Sequence, residues 1–112
     1  MSDPAINLNE LKEIMDNDMD LIQDCLADYI QDWPQIYGEI KKAVLEKNSQ
    51  NLNESAHKLK GILKYLAAQA AADAAFALES AGKGNDLENI DHKLETLEKE
   101  CQKVTEYIKA FE

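Results

Sequence analysis

The stretch from Ser55 to Leu66, SAHKLKGILKYL, decides how this chain is read. At ~100° per residue, Leu52, Ala56, Leu59, Leu63, Leu66 and Ala70 fall on one arc of a helix, and His57, Lys60, Gly61 and Lys64 cluster roughly opposite. The apolar arc predicts a helix packed on a core. The opposite arc predicts a histidine facing water with two lysines beside it. Glycine in a helix interior costs ~1 kcal/mol relative to alanine, so Gly61 needs a reason. Helical side chains lean towards the N-terminus, and a larger residue at i+4 would project over His57; glycine leaves that space open.

The same three-four spacing extends on both sides of this stretch. Met19, Ile22, Leu26, Tyr29, Trp33, Ile36, Ile40 and Val44 define an amphipathic pattern whose register continues across Pro34, so one long helix bent at that proline is expected, with two helices meeting there as the alternative. Before it, Asn7 and Glu10 have capping-box spacing for a short helix carrying Leu8, Leu11, Ile14 and Met15, ending at the DND turn of residues 16–18. This short helix should lie across one end of the core. Ser49 or Asn51 is the expected cap of the helix bearing His57, which should run to about Ala68. The alanine-rich run that follows should pack closely and stop at Gly82. Asn85 and Glu88 again have capping-box spacing, ahead of a face formed by Leu87, Ile90, Leu94, Leu97, Cys101, Val104, Ile108 and Phe111. Short connections make neighbouring helices antiparallel. The expected fold is therefore all-α: an antiparallel up-down four-helix bundle with a short N-terminal helix, in one domain spanning residues 1–112.

Composition narrows the function. Twelve basic and twenty-two acidic residues give a formal charge of −10, which disfavours nucleic acid and anionic lipid as partners. No segment approaches the ~20 apolar residues of a membrane span, and the N-terminus lacks the pattern of a signal peptide, so a cytoplasmic protein is expected. The initiating Met1 and the capped first helix favour a free-standing protein over an excised module. Cys25 and Cys101 have no metal-ligand spacing and read as buried thiols; no metal site is expected. Trp33 and the tyrosines read as core and rim packing. Two dispersed histidines argue against a metal or haem bundle.

Those two histidines have opposite surroundings. His92 has Glu88, Asp91 and Glu95 about it, an acidic setting that repels an anion. His57 has Lys60 at i+3, Lys64 at i+7 and glycine at i+4, a setting that welcomes one. A neutral imidazole is a competent nucleophile near neutral pH, and lysines can offset the charge of a transferred phosphoryl group. On spacing alone two readings stand: an ordinary solvated face, and a site of reversible phosphorylation.

The run AHKLKG, Ala56 to Gly61, resembles the signature of histidine-containing phosphotransfer (HPt) domains, and the likeness extends from the helix before Pro34 to LESAGKG at residues 78–84. The resemblance implies a four-helix bundle that carries a phosphoryl group between aspartates of response-regulator receiver domains, with a hybrid histidine kinase as a further partner. It implies that His57 is phosphorylated on Nε2, that Lys60 lies near the phosphoryl group and that Gly61 keeps the site accessible. Glu79 matches a position that often holds glutamine or glutamate near the imidazole, and Lys83 one that is often basic. Lys64 rests on helical geometry and not on the family pattern. The sequence departs from that pattern at Ile62 and Leu63, where small residues are common, and at Ala67, where glycine is common. No nucleotide-binding loop is present, so a carrier and not a kinase is expected, as a monomer without a cofactor of its own; magnesium would be supplied by the receiver. The competing function is a non-catalytic helical interaction bundle that binds a signalling partner without phosphotransfer.

Overall fold

A computed structural model of the chain describes residues 5–111, the last of them in its backbone alone. The helices are α1 (Leu8–Ile14), α2 (Met19–Leu45), α3 (Ser49–Tyr65), α4 (Gln69–Lys83) and α5 (Ile90–Phe111). The expected capping side chain is used at α1, where Asn7 Oδ1 accepts from the Glu10 amide, and Asp18 of the DND turn caps α2, its Oδ1 accepting from the Leu21 amide, each at 3.1 Å. The reciprocal half of the first capping box is absent, because the Asn7 amide donates to the Ala67 carbonyl at 3.0 Å. That bond ties the N-terminal segment to the α3–α4 corner and helps seat Ile6 and Leu11 over the end of the core.

α2, α3, α4 and α5 pack in chain order, and α2 meets α5 to close the ring. Tyr29 donates to the Cys101 carbonyl at 3.0 Å and Tyr37 to the Leu94 carbonyl at 3.5 Å, so advance along α2 corresponds to retreat along α5. This antiparallel register is that of an up-down bundle. α2 continues through Pro34 without interruption, with Ile36, Ile40 and Val44 still buried beyond it. Trp33 is half-buried and stacks near Tyr29, with ring centroids 6.2 Å apart. On α5 the expected face is buried from Leu94 to Ile108, Leu87 and Ile90 are partly buried against it, and Phe111's side chain lies outside the described residues. Met1 also lies outside them. Cys101 is buried as expected, whereas Cys25 is only partly buried. Among the described residues no helix is long and apolar enough to cross a membrane.

The helix ends differ from expectation in an instructive way. α1, α2, α3 and α4 each finish in the same double hydrogen bond, seen at α3 as the Ala67 amide to the Lys64 carbonyl and the Ala68 amide to the Leu63 carbonyl. The residue after each C-cap is left-handed, but it is Asp16, Lys47, Ala67 or Asn85 and never glycine. α3 therefore ends at Tyr65 and not Ala68, and Ala70 is an exposed residue of α4. Asn85, at φ 51°, closes α4 instead of capping the last helix, which starts at Ile90. The α3 cap is Asn48, whose side chain accepts from the Asn51 amide. Neither Ser49 nor Asn51 fills that role.

Gly82, the expected stop, lies inside α4. A Cβ there would stand 2.6 Å from the Asn53 amide nitrogen and 2.7 Å from the Ser49 carbonyl oxygen. Backbone of α3 occupies the space a side chain would need. The Asn53 side-chain amide also donates to the Glu79 carbonyl at 3.0 Å, across the same close contact. Ala71, Ala72, Ala74, Ala75 and Ala81 are buried along α4, so small residues serve this helix over most of its length.

Two substitutions should consequently shift stability in opposite directions. Gly82→Ala should destabilise by roughly 1–3 kcal/mol through overpacking against rigid backbone. Ala67→Gly, at φ 58°, should stabilise by roughly 0.5–1 kcal/mol once the left-handed strain is set against glycine's entropy. Urea denaturation of the two variants checks both signs.

Candidate functional site

His57 faces outward because its neighbours Ala56 and Leu59 are turned into the core. Its side chain is 67% exposed. The close approach at Gly82 brings α4 near enough for Glu79 to reach across to α3. Glu79 Oε2 lies 2.5 Å from His57 Nδ1, and Oε1 lies 2.6 Å from Lys60 Nζ. One carboxylate thus joins two residues that sit three apart on the facing helix. Burial pushes the Glu79 carboxyl up, but the contacts with Lys60 and then His57 outweigh it and hold the group below the ordinary carboxylate range. An ionised carboxylate only accepts hydrogen bonds, so the proton of a neutral His57 ring belongs on Nδ1 and the lone pair on Nε2.

The sequence placed both Lys60 and Lys64 in water. Lys64 is exposed, but Lys60 is not: its side chain retains 16% exposure, with the ammonium against Glu79 and 5.2 Å from the centre of the Phe76 ring. Periodicity locates a residue on an arc but says nothing of what a neighbouring helix lays over it. Gly61 meets the opposite test. A Cβ at this position would have nothing within 4 Å, so packing does not require the glycine, in contrast to Gly82. Beside it, an open groove of 480 Å³ runs between α2 and α3, bordered by His57, Gly61, Ile62, Tyr65, Asp28 and Trp33. Tyr65 is half-exposed there.

The other expected residues separate. Lys83 is exposed one turn beyond Glu79, and among the described residues neither it nor Lys64 forms an ion pair with the His57–Glu79–Lys60 group. Ile62 and Leu63 fill positions against the core, partly and fully buried respectively, so their bulk is absorbed by packing and leaves the histidine face open. His92 is exposed on α5, and its carbonyl accepts from Thr96, a bond within its own helix. Sequence reasoning missed Phe76 and the α2 wall of the groove. A helical projection of α3 alone could reveal neither.

The family model for the Hpt domain matches residues 24–107, and the chain belongs to that family. It is a phosphorelay histidine phosphotransfer protein, a phosphoryl carrier and not a kinase. Among solved structures, histidine-containing phosphotransfer protein B (HptB) from Pseudomonas aeruginosa PAO1 superposes with a TM-score of 0.89. The match covers 97% of this chain and 95% of that one at 21% identity, a likeness of fold. No curated protein matches the sequence. Membership of the Hpt family implies interaction with receiver domains and the kinases that carry them.

The depressed Glu79 carboxyl gives a signed pH dependence. A folded-state pKa below the unfolded value contributes stability above the ordinary carboxylate range and loses it as pH falls through the folded value. Glu79→Gln should therefore be less stable than the wild type at about pH 7, with the gap narrowing towards about pH 3. Chemical denaturation at the two pH values measures it.

Proposed function

We propose that His57 is the phosphoryl acceptor and donor of this phosphorelay protein, and that Nε2 is the attacking atom. The observation that carries this reading is the 2.5 Å contact between Glu79 Oε2 and His57 Nδ1 on an otherwise exposed ring. With Nδ1 engaged, the Nε2 lone pair is the nucleophile. It attacks the phosphorus of an aspartyl phosphate as the aspartyl O–P bond breaks, and the electron pair leaves on the aspartate carboxylate. The ring gains positive charge while its proton stays on Nδ1, where the Glu79 carboxylate stabilises it. The reverse sequence returns the group to an aspartate.

Lys60 offsets the negative charge of the moving phosphoryl group, and Gly61 keeps the approach to Nε2 clear. Lys64 and Lys83, both exposed and unpaired with the central group, contribute at most to the local field. The groove between α2 and α3 supports docking of a receiver domain, which brings its own aspartate and magnesium. The protein acts as a cytoplasmic monomer of one domain over residues 1–112 and requires no cofactor of its own.

Incubation with a phosphorylated receiver domain should give an acid-labile phosphate on the wild type that maps to His57 and none on His57→Gln. Undiminished labelling of His57→Gln, or no labelling of the wild type by any cognate receiver, overturns the assignment and leaves an interaction bundle. Lys60→Ala should slow transfer by roughly tenfold or more with the fold intact. Gly61→Leu should obstruct it, since leucine retains helix propensity and there is open space for its side chain to project over the ring.

A further inference from the structure

Phe76 is a large aromatic residue left 54% exposed on α4, one turn before Glu79 and outside the buried core. Its ring nevertheless has a defined partner. Lys60 Nζ lies 5.2 Å from the ring centre while standing 2.6 Å from Glu79 Oε1. Lys60 is on the outward arc of α3, where a lysine ordinarily extends into water and samples many rotamers. Here it is mostly covered, and both covering groups come from α4. One holds the ammonium by charge and the other by the negative face of a π system.

We propose that Phe76 is a positioning residue for phosphotransfer, whose ring keeps the Lys60 ammonium beside Glu79 and within reach of the group arriving at His57. The inference rests on His57 as the acceptor. When the Nε2–P bond forms, Glu79 must stabilise the positive imidazole at Oε2, while Lys60 must serve the anionic phosphoryl oxygens. An ammonium tied to Glu79 alone would meet these demands with one flexible contact. The ring supplies a second contact that carries no formal charge and cannot compete for the phosphoryl group. Lys60 can thus turn towards phosphate without being released to solvent.

The exposure of Phe76 makes the test clean, because its replacement leaves the core intact. Phe76→Leu keeps apolar bulk and removes the π face; it should reduce the transfer rate by roughly two- to fivefold, the range of an exposed cation–π contact. Phe76→Trp should restore the rate. In a Lys60→Met background the Phe76→Leu change should have no further effect. The upfield ring-current shift of the Lys60 Hε protons, read by NMR without any phosphorylation, should be present in the wild type and lost in Phe76→Leu. An unchanged rate in Phe76→Leu, or an equal loss with and without Lys60, overturns the proposal. If His57 itself takes no phosphate, the labelling assay fails for every variant while the ring-current shift persists, which separates failure of the parent assignment from failure of this one.

Discussion

The close approach of α3 and α4 is the constraint on which the site depends. Gly82 has no room for a Cβ because Asn53 and Ser49 backbone atoms already occupy it, and the buried positions of α4 are otherwise mostly alanine. Longer side chains along this seam would move α4 outward. Glutamate spans only a short gap, and its carboxylate meets both His57 and Lys60 at hydrogen-bonding distance. The packing of small residues is therefore part of the chemistry. It sets the distance from which a carboxylate on one helix can orient an imidazole on the other.

Glu79 is placed where two opposing demands meet. Burial of a carboxylate is unfavourable, and a lone acid in this position would drift towards the neutral form. Lys60 and His57 reverse that tendency, so the carboxyl stays ionised with one oxygen against each partner. The lysine gains cover from Phe76, and the histidine gains a fixed proton position. Removing any member changes the state of the others. This coupling makes the four residues a single unit in which the Glu79–Lys60 pair is covered while the histidine ring and Phe76 remain open to solvent.

The sequence made the bundle legible because every long helix carries an uninterrupted apolar stripe, including α2 across Pro34. It also made His57 legible, since a histidine opposite a leucine arc must face out. The helix boundaries were less legible because stop signals were sought at glycine. Here the left-handed positions that follow the C-caps fall on Asp16, Lys47, Ala67 and Asn85, while Gly82 serves a tertiary contact that no single-helix pattern contains. Lys60 follows the same logic. Its arc was read correctly, but its burial is imposed by Phe76 and Glu79 from another helix, and cross-helix cover has no periodic signal. Glu79 was visible only through family resemblance, for the same reason.

A protein of charge −10 that handles an anionic group must separate long-range from short-range electrostatics. At physiological ionic strength, fields from exposed carboxylates such as Asp91 and Glu95 on α5 are damped beyond about 8 Å. The phosphoryl group in transit responds chiefly to what lies within a few ångströms of it. The chain has lysine but no arginine, and Lys60, which shares Glu79 with His57, is withdrawn from solvent by two neighbours. Partial dehydration strengthens its interaction with an arriving anion in a way that bulk salt cannot screen. An acidic exterior and a lysine held beside the imidazole are compatible because they act over different distances.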